Sequence, residues 1–511
     1  MNVEQGALIV EGLVRSFNIQ QSPTVFPVKV DASMSTLYTK PKYTHELCEK
    51  RMSAAVQKGK PVAGQLTLFA SEPTTAAPHK DAKSSFNDPA FGANKTQPVH
   101  RWVPWIAGFS SDFVQDVIGH LGSSATVLDP FAGVGTTLVE ATRLNHDAIG
   151  FEINPYAALA CRVKLNAFHI DASGLRAEIN KLTAFFLQRV ESDYNPLSRP
   201  PQGFKTRVDF YSPDVLRKVL ILQDFIESLD DEGLQEVFRL AFASTMVQYS
   251  NYSYEPSLGT RAGAGKDNID DFPVLETVVR KLSEMAEDVL IVQKRRANGD
   301  TAWRVINDSF FNCEQHLPSA SVDLLITSPP YLNNYHYIRN TRPHLYWLGF
   351  VDKPQDTKQL EHENFGTYWQ TVRDRDYPGL DVELPRSDLT EKLEYIRMLN
   401  PEKGVYGGNG WANYAAAYFN DCYRFAKAMR YVLKPGSKAF IVIGNSILQG
   451  VDIPTDKYLG QIAEAVGLEL LDIHTPRATR VGNSIIQSDV RVAKAGNGRT
   501  LYEAVVVLRK R

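Results

Sequence analysis

Apolar positions recur along this chain in two rhythms, and where each rhythm runs decides the elements. Phe109, Phe113, Val117, Ile118 and Leu121 return at the three- and four-residue spacing of one helical face, which predicts an amphipathic helix over Phe109–Leu121. The short run Thr126–Leu128 is strand-like and stops at DPFAGVGTT. A helix is expected over Leu138–Leu144 and a second strand over HDAIGFEI, together one βαβ unit with a right-handed crossover. Residues 166–300 keep the helical rhythm, clearest at Val215–Leu229 and Val274–Val292, with a polar, Gly-rich break at NYSYEPSLGTRAGAGKDN. Strand-type segments return at Trp303–Ile306 and Val322–Ile326, the second running into TSPPY. Residues 351–415 are rich in charge and Gly, and VYGGNGWANY within them reads as a loop. A helix over Tyr418–Val432, the turn LKPGS, the strand KAFIVIG and two closing strand-like runs, LELLDIHTP and EAVVVLRK, complete the chain. No internal repeat is visible. The alternation predicts a doubly wound α/β core carrying two long inserts, 166–300 and 351–415.

The N-terminal part follows different rules. Residues 1–56 read as a small ordered segment, with apolar runs at Ala7–Val14 and Thr24–Val30, and 57–99 as a flexible linker of Gly, Pro, Ala, Ser, Thr and Lys. A length of 511 residues exceeds one ordinary domain, so a core with insertions is expected. Apolar residues at 43% and charged residues at 22% fit a soluble protein. The net charge of −2 does not announce a nucleic-acid partner, yet it leaves room for a local basic face. Cys48, Cys161, Cys313 and Cys422 lie far apart, without metal-ligand or disulfide spacing, which points away from zinc and toward a reducing cytosol. No secretory start and no membrane-length apolar run is present, so a cytoplasmic protein is expected.

Chemistry concentrates in two loops. The first is DPFAGVGTT, a Gly-rich turn between strand and helix at the edge where α/β sheets bind ligands. No Lys follows its glycines, so it is not a phosphate-binding Walker loop. Glu152, at the end of the second strand, stands where a ribose hydroxyl pair would be received. The second loop is Thr327-Ser-Pro-Pro-Tyr331. Its prolines remove two backbone donors and stiffen the turn. The Ser328 side chain and the Pro329 carbonyl can accept from an exocyclic base amine, while Tyr331 offers an aromatic face to a flipped base. The plainer alternatives are a tight β–α turn in the first case and a strand-closing Pro-Pro turn in the second.

Taken together, DPFAGVGTT, FEINP, NDS and TSPPY resemble the motifs of the DNA amino-methyltransferases. The resemblance implies a Rossmann-like S-adenosylmethionine-dependent methyltransferase fold, with about seven strands, the last antiparallel. It implies cofactor contacts from Asp129, Phe131, Ala132, Gly133, Gly135, Thr136, Thr137, Glu152, Ile153, Asp308 and Ser309, with Asp308 near the adenine ring. It implies a catalytic loop of Ser328, Pro329, Pro330 and Tyr331, and no metal. SPPY is the form usual among cytosine-N4 enzymes, whereas adenine-N6 enzymes more often carry DPPY or NPPY. One side chain biases rather than fixes the base, so adenine-N6 stays as the alternative; the Gly-rich loop here also precedes SPPY, a departure from the order common for that type, as in a circularly rearranged relative. An RNA guanine-N2 methyltransferase and a non-catalytic DNA-binding scaffold are the remoter readings. The resemblance covers 100–165 and 301–511 apart from the second insert, and both inserts are candidate target-recognition regions. Double-stranded DNA is the implied partner, with a cognate restriction endonuclease a further candidate.

No protein nucleophile is needed for such chemistry: positioning of the amine against a methyl donor carries much of the rate. Three features stand outside this scheme. Arg339, Arg342, His344, Tyr335, Tyr337 and Tyr346 follow TSPPY and suit either phosphate and base contacts or core packing. The segment Gly407–Trp411 reads as a mobile loop, with DNA contact the alternative. Gln65-Leu66-Thr67-Leu68-Phe69 resembles the peptide by which bacterial replication and repair proteins dock on the sliding clamp; packing back onto the catalytic domain is the other reading.

Overall fold

The computed structural model describes residues 94–105, 108–122, 124–254, 257–295, 301–332, 336–477 and 501–511. The expectations for 1–56, for 57–93 and for Gln65–Phe69 therefore lie outside the described residues, as does Tyr335. Within 57–99, Asn94 and Val99 are fully buried, so the end of the stretch read as linker belongs to the packed core.

Seven strands form the central sheet: β1 (Thr126–Asp129), β2 (Asp147–Phe151), β3 (Trp303–Ile306), β4 (Val322–Thr327), β5 (Leu433–Gly444), β6 (Leu468–Arg477) and β7 (Glu503–Lys510). Their order is β6-β7-β5-β4-β1-β2-β3. The β1–β2, β2–β3, β1–β4 and β4–β5 pairs are parallel, while β7 runs antiparallel to both β5 and β6. This is the expected fold, with the last strand antiparallel. The chain builds outward from β1 to β3, then returns to place β4 on the other side of β1. That reversal leaves a crevice at the carboxyl ends of β1 and β4, where open α/β sheets receive ligands.

Strand alternation separates two apolar layers. Val127, Ala148, Leu324, Phe440, Val442 and Val505 face one layer; Leu128, Phe151, Leu325, Ile441, Ile443 and Val506 face the other. Helices α1 (Ser111–Ile118), α2 (Thr136–Arg143) and α3 (Pro155–Asn166) cover the first face. The helical insert thickens it with α4 (Ala172–Val190), α5 (Pro213–Glu227), α6 (Glu232–Thr245) and α7 (Val274–Arg295), and α8 (Tyr337–Trp347) joins the same layer. The second face is covered by α9 (Leu389–Met398) from the second insert, α10 (Gly408–Val432) and α11 (Thr455–Ala465).

Helix α10 corrects an expectation. VYGGNGWANY is not a loop over most of its length: Gly407 caps α10, and residues 408–414 are its first turns. The glycines signal close approach here, because a Cβ at Gly408 would run into the Ile396 carbonyl and one at Gly410 into that of Val405. LKPGS likewise lies inside β5. Val322 pairs with Leu433 and Leu324 with Lys438, so the ladder absorbs an outward bulge around Gly436, which has φ 83°.

The helical insert is locked to the core by one buried carboxylate. Asp288 on α7 accepts from the Val99 amide at 2.9 Å, Trp102 Nε1 at 2.9 Å, and Arg101 at 2.7 and 3.1 Å. Satisfied from several directions and paired with a cation, this charge can stay buried.

Candidate cofactor and base site

The carboxyl ends of β1, β2, β3 and β4 each deliver part of one site. After β1 the chain turns at once. Asp129 is fully buried, and its oxygens accept from the Phe131 amide at 3.0 Å, Thr137 Oγ1 at 2.7 Å and Thr327 Oγ1 at 2.6 Å. Burial raises its pKa to about 6, against the lowering effect of those three bonds. Thr137 opens α2 and Thr327 ends β4, so a single carboxylate ties the Gly-rich loop to the TSPPY loop across the crevice. Gly133 (φ 52°) and Gly135 (φ 84°) occupy left-handed backbone. A Cβ at Gly135 would also meet Cys161 Sγ on α3, so the tight loop requires glycine twice over.

Glu152 follows β2 and reaches back to that loop. One oxygen accepts from the Gly133 amide at 2.8 Å and the other from the Asn154 amide at 2.8 Å. Burial lifts its pKa to about 7 despite both bonds, and the Asp129 charge adds to the rise. A carboxylate has about four acceptor sites, so two remain for a hydroxyl pair. After β3, Asp308 is held by His316 Nε2 at 2.7 Å, Asn312 Nδ2 at 2.9 Å and the Ser309 amide at 2.7 Å. Burial works to raise its pKa, but these bonds and the His316 charge outweigh it and hold Asp308 below the usual carboxylate range.

After β4 comes the TSPPY loop. Tyr418 on α10 donates to the Pro330 carbonyl at 3.1 Å, and Ser446 Oγ donates to the Leu332 carbonyl at 2.6 Å. The loop is thus braced from the second face of the sheet as well as by Asp129. Ser328 Oγ donates to the Tyr331 hydroxyl at 3.4 Å, which donates in turn to Glu503 Oε1 at 3.2 Å.

A cleft open to solvent lies over these ends. Phe131, Ala132, Gly133, Thr136, Glu152, Ile153, Asp308, Ser309, Ser328 and Pro330 line it together. Asp129, Gly135, Thr137, Pro329 and Tyr331 do not: Asp129 and Thr137 brace the loop from beneath, Pro329 is buried, and Tyr331 turns toward Glu503. Sequence reasoning missed several walls. Trp105 stacks on Tyr337, with ring centroids 5.9 Å apart at 20°, and Phe365 packs edge-on against Phe131 at 5.2 Å. Glu363 and Asn364 also line the cavity. Trp105, in the aromatic run before β1, carried a usable signal; the 363–365 segment, inside a charge-rich insert, carried none. Of the residues after TSPPY, His344 and Tyr346 are buried, His344 stacked on Tyr156 at 4.3 Å with its pKa lowered by burial to about 4. Arg339 is exposed, and Arg342 lies 5.6 Å over the Phe204 ring. Among the described residues no cluster of His, Cys, Asp and Glu could hold a metal ion, and Cys161, Cys313 and Cys422 are buried and free.

A family model described as DNA methylase, of N6- and N4-methyltransferases, matches residues 109–161, from α1 through the Gly-rich loop and Glu152 into α3. Similarity over most of the chain supports it. The chain is 25% identical over 435 residues to the Type II methyltransferase M.BsoBI of Geobacillus stearothermophilus, covering 77% of this chain and 83% of that one. The chain is thus similar to the DNA amino-methyltransferases in its Gly-rich loop region and over most of its length. Two further relatives are the Type II methyltransferases M.AvaI of Anabaena variabilis (26% identity, 82% of this chain, 88% of that one) and M.MvaI of Kocuria varians (22%, 65% and 73%). The Asp129 bridge holds the two loops of this crevice in register.

Proposed function

We propose that the protein is a site-specific DNA methyltransferase that transfers a methyl group from S-adenosylmethionine to an exocyclic base amine flipped out of the duplex, cytosine N4 being the favoured acceptor. The observation that carries this reading is the single cavity lined on one side by Phe131, Gly133 and Glu152 and on the other by Ser328 and Pro330. The donor set fits the cofactor. Glu152 keeps two acceptor sites for ribose hydroxyls, Asp308 stands at the next strand end, and Phe311 and Phe365, 6.1 Å apart at 29°, give aromatic surface for an adenine. When bound, the cofactor supplies an electrophilic methyl group. The chain's own part is to hold the amine through acceptors on the rigid TSPPY loop and to exclude water behind the aromatic walls. SPPY favours cytosine, but one side chain biases rather than fixes the base, which keeps adenine-N6 as the second reading.

The test is direct. The full chain is incubated with duplex DNA of mixed sequence and S-adenosylmethionine, and digested nucleosides are resolved by mass spectrometry. N4-methylcytosine is expected. N6-methyladenine would move the assignment to the second reading, and methylation of neither base would sink both. The named relatives are Type II methyltransferases, which supports a place in restriction–modification beside a cognate endonuclease, in the cytoplasm. Among the described residues no helix is long and apolar enough to cross a membrane. Clamp docking through Gln65, Leu66, Leu68 and Phe69 is a separate proposal. It stands or falls on saturable binding of a Pro61–Glu72 peptide to a bacterial clamp, lost on Leu68→Ala with Phe69→Ala.

A further inference from the structure

We infer that Glu503, at the start of the last strand, fixes the direction of the hydrogen bonds in the TSPPY loop, and that this direction makes Ser328 an acceptor for an amino group rather than a donor to an oxo group. The inference rests on the reading of this cavity as the place where a base amine is methylated.

The topology brings the carboxylate there. Because β7 is antiparallel to β5, its first residue pairs with the last residue of β5, Glu503 opposite Gly444, at the same sheet edge as the ends of β1 and β4. Tyr331 lies 3.2 Å from Glu503 Oε1, and Ser328 Oγ lies 3.4 Å from the Tyr331 hydroxyl. Both Tyr331 and Glu503 are half-buried, and Ser328 lines the cavity.

Hydroxyl groups donate or accept, so a lone serine cannot tell an amino group from a carbonyl. A carboxylate can only accept. The Tyr331 proton is therefore committed to Glu503, which leaves the Tyr331 oxygen as an acceptor. The Ser328 proton is then committed to Tyr331, and the Ser328 oxygen presents lone pairs to the cavity. A cytosine or adenine amine donates to those lone pairs; the oxo group of uracil or hypoxanthine meets acceptor against acceptor. At 3.4 Å the inner link is loose in the free protein, and links of this kind commonly tighten when substrate fills the site. Glu503 is thus a positioning residue, acting through Tyr331 and not by touching the base.

The experiment compares wild type with Glu503→Ala, Glu503→Gln, Tyr331→Phe and the Tyr331→Phe/Glu503→Ala double variant in the full chain. Duplexes carry either the base that the wild type methylates or its oxo counterpart at that one position. Wild type is expected to bind the amino duplex on the order of tenfold more tightly than the oxo duplex, and Glu503→Ala is expected to lose that preference. Glu503→Ala should also lower kcat on the order of tenfold, with KM for DNA and affinity for cofactor unchanged. Glu503→Gln keeps size and one acceptor while admitting a donor, so it should fall between the two. The double variant should be no worse than Tyr331→Phe alone, since both changes break one chain. Independent, additive losses would overturn the inference, as would an unchanged preference in Glu503→Ala. Absence of methylation by wild type would instead overturn the functional reading on which it rests.

Discussion

The two inserts interrupt the same sheet and pack against opposite sides of it. The helical insert, α4 to α7, thickens the first apolar layer and is locked by Asp288, which does not line the cavity. It reaches the site's rim through two short features. Tyr254 and Leu258, from the small hairpin 252–260, bond to Asn340 on α8 at 2.9 and 2.8 Å, and Arg342 bonds to the Lys205 carbonyl at 3.0 Å. The second insert is smaller, yet Glu363, Asn364 and Phe365 enter the cavity wall itself. Its Gly366 amide is fixed by Asp421 on α10 at 2.9 Å, the helix whose Tyr418 braces Pro330. Size is thus a poor guide to position here: the large insert reaches only the rim, and the small one lines the cavity.

The largest effect expected from this contrast is on stability alone. Asp288→Ala strands the Val99 amide and Trp102 Nε1 and removes the partner of Arg101, at a cost of roughly 3–5 kcal/mol. Denaturant unfolding should show that loss, while cofactor affinity of the protein that remains folded stays at the wild-type value. A matching fall in cofactor affinity would mean that the helical insert shapes the cavity after all.

Next in size is a pH effect from Glu152, which belongs to the sheet edge and neither insert. Its pKa is raised to about 7, so in the free protein it gains a proton as pH falls through that value. On the proposed role of Glu152 as acceptor for ribose hydroxyls, cofactor affinity should fall by up to about tenfold per unit below pH 7. Stability should move the other way. The folded state holds this proton more tightly than the unfolded chain, so its contribution is fully present below the ordinary carboxylate range and is lost as pH rises toward 7. Calorimetric titration from pH 5.5 to 8.5 checks the first statement, and Glu152→Gln should flatten the profile. A profile that survives that substitution would assign the titration to Asp129, whose pKa is about 6.

Phe365→Leu isolates the second insert. Leucine keeps most of the volume but not the edge-on contact to Phe131, so stability should change by less than about 1.5 kcal/mol while cofactor affinity falls roughly three- to tenfold. Unchanged affinity would return this insert to the role of scaffold.

How much of this was legible in the sequence follows from the range of each interaction. Strands and helices of the core were readable because burial imposes their periodicity locally. β3 matches its expected bounds, and β4 differs by one residue. Phe131, Gly133, Glu152, Asp308 and Ser328 were readable because each sits on a strand end whose turn chemistry is local. Phe365 and Glu503 were not, since what brings them to the site is a crossing of distant elements and the antiparallel return of β7. The Gly407–Trp411 error has the same root. Glycines mark a turn when only local conformation is considered, but here they admit the backbone of a neighbouring segment against a helix start.

The smallest expected effect decides whether the helical insert contributes anything beyond support. Lys205 and Arg207 are exposed on the segment before α5, and the Arg207 amide is anchored by Tyr252 at 3.1 Å; Arg339 is exposed on α8, two residues beyond the cavity-lining Tyr337. Glu361 is the acid facing Arg339 and Arg342, and among the described residues none of Lys205, Arg207 and Arg339 forms an ion pair at salt-bridge distance. Cations on this rim suit the phosphates of a bound duplex. Each phosphate contact changes the slope of log affinity against log salt by about 0.9, so Lys205→Gln with Arg207→Gln should lower that slope by about two. Affinity for a mixed-sequence duplex should fall severalfold at low salt, alike for every sequence, with cofactor affinity unchanged. An unaltered slope would leave the helical insert as scaffold and shift DNA contact wholly to the second insert and α8. A loss confined to one sequence would instead mean that this segment reads bases.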